Sequence, residues 1–482
     1  MQNSLIRAPF VGLGLLLILG LWSSPSAGSS LSDRITTQLK NAGMGPGTTG
    51  VHVFSPDLGP VYSQNERGTF ITASVMKIFT AVAALEEWGP AFQFPTQLLT
   101  DAKIDGGILK GNLYLRGHGD PSFVSEKMWY LANEFLRWGV TEIQGDLVVD
   151  DSRFDQIRFD PGRLPHNDDR AFDAPIGALS FNWNAVNIFS RPGSRTGAPL
   201  QVYLDLPNSY VRLENKAVTG GNDPKPDANV ILKTKENIEI VSVHGRMGLG
   251  SKESVIYRAI NQPEYWAGAN MVEFLKQRGI NVRGQVRKAT TPSGATLLAE
   301  SMGSPMRRMT DDMLKFSNNF VAEMLTKALA AERGQRPATM NRGLEILREF
   351  AERWRLDKGE YSFTNPAGLS RKTVGSANSL VQVLEYARNH MSVAPEFISG
   401  LPVSGVDGTL KNRMKTPPAL GRVRAKTGML DGVISLAGYI ERLDGKVLSF
   451  AMIYNGPKDP WSVHAVFDKI CTELVSAQLK EP

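Results

Sequence analysis

The chain of 482 residues is longer than one ordinary domain, and its hydrophobic share of 42% and charged share of 21% are typical of a globular protein with a large core. This composition excludes a disordered or fibrous chain. The net charge is +6, and the basic residues are scattered without a long Lys/Arg block. Because phosphate-loop and nucleic-acid motifs are also missing from the sequence, we expect a mildly basic surface and no nucleic-acid partner.

The N-terminus predicts export. Residues Ala8 to Trp22 carry no charge, follow Arg7 and precede the small-residue run SSPSAGSS. This order is typical of a signal peptide, which we place at residues 1–28. The apolar run is short for a bilayer span, but an uncleaved anchor is an open alternative. At most peripheral membrane contact is expected from the rest of the chain.

The only cysteine, Cys471, rules out an internal disulfide and lies in a helical pattern, VFDKICTELV, where we expect it to be a small buried hydrophobe. The histidines show no ligand spacing: His52, His118, His166, His244, His390 and His464. We therefore expect no metal site and no cofactor.

In chain order, residues 29–99 predict a helix, a hairpin and a second helix that begins near Ser74. Residues 100–290 consist of short alternating segments and glycine turns, which predict a β-rich region. Residues 291–482 return to helical periodicity, then show an antiparallel meander and a last helix from about Trp461. We interpret this order as an α/β (α+β) domain, split in sequence into 29–99 and 291–482, with a β-rich insertion at 100–290.

Ser74 and Lys77 begin the second helix, three residues apart. Helical spacing places them on one face, and the apolar residues that follow would keep this first turn partly dry. Desolvation lowers the pKa of an amine, so Lys77 would be able to accept the proton of the Ser74 hydroxyl. The alternative is an ordinary helix start with a solvated lysine, because Ser-x-x-Lys is a short pattern.

Two further triplets supply partners for an acyl transfer. Ser317-Asn318-Asn319 places a hydroxyl and an amide at the start of a helix, and Lys426-Thr427-Gly428 ends a strand. Each triplet alone is weak, and a turn or helix cap is the usual explanation of Ser-x-Asn. Their order along the chain is the informative feature.

Ser-x-x-Lys, Ser-x-Asn and Lys-Thr-Gly in this order resemble the signatures of the penicillin-recognising serine enzymes. A separation of 243 residues between Ser74 and Ser317, and of 109 between Ser317 and Lys426, is similar to the penicillin-binding protein 4 type, the S13 family of D-Ala-D-Ala carboxypeptidases. Four runs strengthen the resemblance, which covers nearly the whole exported chain: GHGDPSF (117–123), GDLVVDDSRFD (145–155), NPAGLSR (365–371) and LPVSGVDGTL (401–410).

The resemblance implies a transpeptidase-like fold, an antiparallel sheet flanked by helices, and an acyl-enzyme formed at Ser74 with Lys77 as general base. Ser317 would pass a proton to the leaving nitrogen. Asn319 would bind the peptide's amide and hold Lys77 in orientation. The remaining implied roles are carboxylate binding by Lys426 and Thr427, and an oxyanion hole formed by the backbone N–H groups of Ser74 and Met429, beside Gly428.

For the third residue of the substrate's stem peptide, the resemblance points to Asp150 of the insertion and to Arg371. Adjacent Asp151 competes with Asp150 for this role. The alternative is a surface ion pair across the domain boundary. The sequence departs from the family pattern at Pro366-Ala367-Gly368, where glycine-serine-glycine is usual, and at Met429, where threonine or serine is commoner.

The function implied is a penicillin-binding serine D-Ala-D-Ala carboxypeptidase, a DD-endopeptidase, or both, in the bacterial periplasm. Its partners would be peptidoglycan stem peptides, with β-lactams as inhibitors and no cofactor. A β-lactamase and a catalytically silent cell-wall-binding protein are the alternatives. The sequence does not distinguish carboxypeptidase from endopeptidase preference, does not fix the signal cleavage site and does not indicate the oligomeric state.

Overall fold

The computed structural model describes residues 30–479, except 162, 164–169, 222–224 and 234–236. The predicted signal peptide and His166 lie outside these residues. The helices of the described residues are Leu31–Asn41, Lys77–Trp88, Ser125–Leu136, Pro263–Lys276, Met306–Lys315, Asn319–Glu332, Met340–Arg353, Ala377–Asn389, Ala394–Gly400 and Pro460–Val475. Short 3-10 turns lie at Ala73–Met76, Ala171–Asp173, Asn182–Asn184, Lys358–Glu360 and Gly408–Leu410.

A five-stranded antiparallel sheet, here called the central sheet, joins the two ends of the chain. Its strands, in spatial order, are Gly59–Gln64, Thr49–Ser55, Val447–Asn455, Val433–Glu441 and Val423–Leu430. The last three form the meander that the sequence predicts. Because Lys-Thr-Gly lies in the edge strand Val423–Leu430, the outer side of its residues faces other parts of the fold rather than a further strand of this sheet.

Both faces of the central sheet are covered by helices, as the alternation of its strands requires. Along Val447–Asn455, Phe450 and Met452 pack into one cluster with the first and last helices, whereas Ala451 and Ile453 pack into the cluster of the Lys77–Trp88 helix. Cys471 is fully buried in the first of these clusters, and burial raises its thiol pKa well above the usual value. The prediction of an α/β fold with an antiparallel sheet flanked by helices is confirmed.

The inserted region is built on a second five-stranded sheet, in the order Val286–Lys288, Leu147–Asp150, Leu113–Gly117, Pro95–Thr100 and Thr296–Met302. Small sheets complete it: Asn281–Val282, Glu142–Ile143, Ile108–Leu109 and Ile104–Asp105; Gln201–Leu204, Ala185–Arg191 and Ser254–Ala259; Val211–Asn215, Ile238–His244 and Asp227–Lys233; and Val218–Thr219 with Arg246–Met247. Beyond the predicted β structure, the region contains the helices Ser125–Leu136 and Pro263–Lys276.

The chain enters and leaves the insertion through adjacent antiparallel strands, Pro95–Thr100 and Thr296–Met302, in which Thr100 pairs with Thr296. The predicted domain boundary at residue 99 falls inside the first of these strands. The boundaries themselves stay a prediction. In the part of the chain that the structure describes, we find no helix with the length and apolar character needed to cross a bilayer.

Candidate active site

The nucleophile candidate lies on a strained turn rather than in regular helix. Ala73 has a φ of 49°, Ser74 lies in the 3-10 turn Ala73–Met76, and the α-helix begins only at Lys77. A 3-10 turn has three residues per turn, so side chains at i and i+3 eclipse each other. This geometry brings Lys77 Nζ to 2.9 Å from Ser74 Oγ. The α-helical spacing expected from the sequence places the two side chains on one face but does not by itself fix so short a contact.

Two glycines allow this turn to approach its neighbours. Gly368 has a φ of 81°, and a Cβ there would lie 1.9 Å from Ala73 O. A Cβ on Gly428 would lie 2.1 Å from Ser435 Oγ and 3.0 Å from Ser74 N. The edge strand and the 365–371 loop therefore press against the backbone of Ser74 from two sides.

Polar contacts tie the same turn to the central sheet. Asn455 accepts a hydrogen bond from Ile71 N at 2.8 Å and donates one to Ile71 O at 3.1 Å. Ser435 Oγ donates to Thr72 O at 2.7 Å. A third sheet strengthens the attachment, since Phe70–Ile71 pairs with Val374–Gly375, which pairs in turn with Tyr361–Ser362. The position of Ser74 is thus fixed before any substrate arrives.

Lys77 is fully buried at the centre of the site. Besides Ser74 Oγ, its Nζ lies 2.8 Å from Asn319 Oδ1 and 2.7 Å from the carbonyl oxygen of Ala367. Burial is the main cause that lowers its pKa well below the usual lysine value, and the charges of Lys426 and Arg163 lower it further. The nearby carboxyl group of Glu323 opposes this shift.

The second serine, Ser317, lies in the connection between two helices. The helix Met306–Lys315 ends before it, Ser317 itself has a φ of 57°, and Asn318 caps the next helix by accepting a hydrogen bond from Val321 N. Asn319 is the first residue of that helix, Asn319–Glu332. The Ser-x-Asn triplet is therefore both a helix cap, the ordinary explanation of the pattern, and one wall of the cleft.

Lys426 faces Ser317 across the cleft from the edge strand. Its Nζ lies 2.9 Å from Ser317 Oγ and 2.7 Å from Thr427 O, and the side chain is fully buried. Burial lowers the pKa of Lys426 to about 7. Thr427 Oγ1 donates to Thr409 Oγ1 at 2.8 Å, and Met429 is exposed at the rim. The three motifs, distant in sequence, thus line one cleft.

The 365–371 loop shows why its departure from the family pattern is compatible with the site. Ala367 contributes its carbonyl oxygen to Lys77, and Pro366 contributes its carbonyl oxygen to Thr80 Oγ1 at 3.1 Å. Backbone carbonyl groups do not depend on the side chain. Only the third position needs glycine, and the chain has Gly368 there.

Asp150 and Arg371 lie in separate surroundings. Asp150 is buried, and its carboxylate accepts hydrogen bonds from the backbone N–H groups of Ser152 at 3.0 Å and Thr291 at 2.7 Å. Burial would raise its pKa, but these hydrogen bonds outweigh burial and lower it. It borders a cavity of about 280 Å³ that is also lined by Arg116, Arg153 and Arg336.

Arg371 is half-exposed at the other end of the 365–371 loop and donates to the carbonyl oxygen of Asp431 at 2.8 Å. Asp431 lies in the turn that follows the edge strand. The competing residue, Asp151, is occupied by a buried ion pair with Arg158 at 2.6 Å and accepts from Leu179 N. The substrate-binding roles of Asp150 and Arg371 stay predictions.

The sequence did not indicate the polar layer behind Lys77. Glu323 is fully buried, lies 3.0 Å from Arg163 Nε and accepts a hydrogen bond from Asn365 Nδ2 at 3.1 Å. Burial raises its pKa. Its spacing, four residues after Asn319 on one helix face, was a signal that could have identified it. Among the described residues, no three His, Cys, Asp or Glu side chains lie together as metal ligands would.

Comparison with known proteins agrees with this geometry. Residues 35–474 match the D-Ala-D-Ala carboxypeptidase 3 (S13) family. A D-alanyl-D-alanine carboxypeptidase of Actinomadura sp. is 30% identical over 97% of this chain and 90% of its own length. The crystal structure of penicillin binding protein 4 from Haemophilus influenzae superposes with a TM-score of 0.78 at 25% identity, covering 92% of this chain and 99% of that one.

A second structure of the Haemophilus influenzae protein, complexed with a β-lactam, has a TM-score of 0.74 at 24% identity and covers 92% of this chain and all of that one, 100%. The predicted fold and the predicted enzyme class, a serine-type carboxypeptidase, are both confirmed by these matches. The chain belongs to the D-Ala-D-Ala carboxypeptidase 3 (S13) family.

Proposed function

We propose that this chain removes the terminal D-alanine from D-Ala-D-Ala stem peptides of peptidoglycan through an acyl-enzyme at Ser74. The observation that carries this proposal is the set of contacts around Lys77 Nζ. Two of them are carbonyl oxygens, Asn319 Oδ1 and Ala367 O, which accept the two N–H bonds of a neutral amine. The lone pair is then left for the third contact, the Ser74 hydroxyl at 2.9 Å.

In the first step, Ser74 Oγ attacks the carbonyl carbon of the penultimate D-alanine while its proton moves to Lys77 Nζ. The negative charge moves to the carbonyl oxygen, where the N–H groups of Ser74 and Met429 would stabilise it. One such donor is typically worth about 3 kcal/mol in the transition state. The close approach of Gly428 to Ser74 N supports this placement, because it brings the two backbones side by side.

Collapse of the intermediate breaks the C–N bond, and the departing nitrogen needs a proton. Ser317 Oγ would deliver it, with the ammonium of Lys426 at 2.9 Å stabilising the serine oxygen. The proton that Lys77 took from Ser74 would then pass to Ser317, which leaves Lys77 neutral again. D-alanine leaves and an ester on Ser74 remains. A water molecule then attacks the ester carbonyl while neutral Lys77 accepts its proton; as the ester C–O bond breaks, Lys77 returns this proton to Ser74 Oγ and the enzyme is regenerated.

Lys426 and Thr427 would bind the terminal carboxylate of the substrate. In the free enzyme the pKa of Lys426 is about 7, so its side-chain amine is only partly protonated at neutral pH. An approaching carboxylate favours the charged form and raises the pKa. Substrate binding would therefore cause Lys426 to take up a proton and form an ion pair with the terminal carboxylate.

Endopeptidase cleavage of a cross-bridge would use the same groups, since only the leaving group differs. A β-lactam would acylate Ser74 but keep its leaving group tethered, which slows release. Roles for Arg371 and Asp150 in binding the side chain of the stem's third residue are proposed from the family resemblance alone, because the two side chains lie in separate surroundings. An exported, periplasmic location is proposed from the sequence of residues 1–28. The β-lactamase and silent-protein alternatives are not favoured by the family.

The experiment is an incubation of the purified protein with an N-acylated tripeptide that ends in D-Ala-D-Ala, with free D-alanine measured by chiral chromatography. The matched peptide ending in L-Ala-L-Ala is the control and should release nothing. A fluorescent penicillin should label Ser74 in the same preparation, as shown by peptide mass mapping. A folded protein that releases no D-alanine and labels elsewhere than Ser74 would refute the proposal. Digestion of cross-linked wall fragments measures the endopeptidase share.

A further inference from the structure

A groove of about 880 Å³ extends from the catalytic cleft to the inserted region. Its lining reaches Ser317 and Asn319 and includes three exposed aromatic side chains, Trp183, Tyr257 and Phe316; we call it the aromatic groove. The volume lies within the range of about 300–1,000 Å³ that is usual for small-molecule sites. The groove is therefore large enough for a part of the substrate beyond the dipeptide.

The three aromatic side chains of the groove are exposed, with accessible fractions of 46% for Trp183, 55% for Tyr257 and 70% for Phe316. Large apolar side chains grouped on one surface usually mark a binding site. Tyr257 belongs to the strand Ser254–Ala259 and pairs with Asn187 on the neighbouring strand, so its position is set by a sheet. The aromatic groove is thus built partly on rigid structure.

Trp183 is held in a backbone conformation that bulky residues rarely adopt. Its φ and ψ are 54° and 23°, and the flanking Asn182 and Asn184 have φ values of 47° and 52°. Asparagine tolerates this left-handed region because its short side chain can hydrogen-bond to the local backbone, whereas the tryptophan side chain offers no such local compensation for the steric cost. Strain of this kind persists where the surroundings impose it, and it concentrates at functional sites.

The surroundings of Trp183 do impose its conformation. Asn184 Nδ2 donates to Pro175 O at 2.8 Å, and Asn184 Oδ1 accepts from Phe181 N at 3.1 Å. Asn182 Oδ1 accepts from Ser125 N at 3.0 Å. These contacts hold the backbone on both sides of Trp183, while its own indole stays exposed in the groove. The turn therefore presents a fixed aromatic face.

The polar part of the groove selects the class of ligand. The residues that line it include three carboxyl groups, Glu126, Asp205 and Asp312, and none of the described lining residues is lysine or arginine. Peptides with free carboxylates would be repelled here. Neutral polyhydroxylated rings would not be, because carboxylate and amide oxygens accept hydrogen bonds from hydroxyl groups.

We propose that the aromatic groove binds the glycan part of the peptidoglycan substrate, with a sugar ring stacked on Trp183. The C–H face of a pyranose is weakly positive and suits the negative face of an aromatic ring. The amide of Asn187 and the carboxylate of Asp205 would contact its hydroxyl groups. This inference rests on the proposed function, and it means that the enzyme prefers stem peptides still attached to sugar.

The test compares two substrates with the same D-Ala-D-Ala stem peptide, one free and one attached to its disaccharide. The wild-type protein should show a higher kcat/KM for the disaccharide-bearing peptide. In Trp183→Ala this preference should fall about tenfold, the effect of losing one aromatic stacking contact. Trp461→Ala is the matched control, because Trp461 is 82% exposed in the last helix, and it should keep the preference.

A second variant separates binding from folding. Trp183→Asn replaces a strained residue by one that tolerates the left-handed region, so its melting temperature should equal or exceed that of the wild type while the preference is still lost. A wild-type enzyme that cleaves both substrates equally would overturn this inference but leave the proposed function intact. Failure to cleave either substrate would overturn both. Equal losses on the two substrates in Trp183→Ala would assign the groove to the peptide instead.

Discussion

The two walls of the cleft carry serine–lysine pairs with the same spacing and different surroundings. In each pair the lysine is fully buried and its Nζ lies 2.9 Å from the serine oxygen. Lys77 has two further oxygen contacts and faces the charges of Lys426 and Arg163, whereas Lys426 has one further contact and its pKa is lowered by burial alone. In the proposed mechanism, one contact geometry would therefore serve opposite purposes, accepting a proton at Ser74 and holding one near Ser317.

The largest expected effect separates the two serines. Ser74→Ala removes the only proposed acyl acceptor, so D-alanine release should fall by roughly 10⁴-fold or more, and intact mass spectrometry should find no β-lactam adduct. Ser317→Ala removes a proton donor and should cost about 10²-fold while the adduct still forms. An adduct on the Ser74→Ala protein, or none on the Ser317→Ala protein, would mean that the roles of the two walls are reversed.

The two lysines should differ when each is replaced by arginine, which does not give up its proton at accessible pH. Lys77→Arg keeps a charge where a neutral amine is needed and should lower kcat/KM by about 10³-fold. Lys426→Arg keeps a cation where one is wanted and should cost about tenfold. Melting temperatures of both variants serve as the control for folding.

The pH profile of kcat/KM tests the same contrast, because it reports groups of the free enzyme. In the proposed mechanism the active form has Lys426 protonated and Lys77 neutral. Because the pKa of Lys426 is about 7, the wild-type activity should fall as the pH rises through 7. Because Lys77 must be neutral in this form, the activity should also fall at acidic pH. In Lys426→Arg the alkaline fall should disappear. An alkaline limb that stays in place in this variant would contradict the assignment.

The smallest of these expected effects is a loss of stability, and it comes from the backbone that supports the Ser74 wall. In Gly368→Ala the new Cβ would lie 1.9 Å from Ala73 O at a φ of 81°, and the free energy of unfolding should fall by about 3 kcal/mol. Gly294→Ala is the control, since no atom lies within 4 Å of its added Cβ, and it should change stability by less than about 0.5 kcal/mol. Urea unfolding of both proteins measures the difference.

Local patterns were sufficient for much of the fold. The first and last helices, the hairpin and the meander follow from periodicity and turn residues alone, and the three motifs placed Ser74, Lys77, Ser317, Asn319 and Lys426 in order. The helix Ser125–Leu136 was missed although Met128, Leu131, Ala132 and Phe135 recur at helical spacing. Its position among many glycine turns made the β interpretation of that region more attractive.

Apart from the helical spacing of Glu323 from Asn319, the polar layer behind Lys77 was not predictable, because it depends on contacts between distant segments. Glu323, Asn365 and Arg163 meet only after folding. Asn365 begins the run NPAGLSR, but no local pattern joins it to the other two residues. The 3-10 turn at Ser74 was missed for a similar reason. Ala73 has a positive φ where Gly368 and Gly428, both distant in sequence, pack closely against the turn. Local propensity describes a segment, whereas this turn is imposed by its neighbours.

The burial of Cys471 has a practical consequence for studying the groove. As the chain's single cysteine, it has no accessible surface, and its thiol resists ionisation. Maleimide chemistry should therefore pass over the native protein. A cysteine introduced in place of Tyr257 would carry one spectroscopic label at a known position in the aromatic groove. The signal of that label would then measure the rates at which cell-wall fragments bind to the groove and dissociate from it.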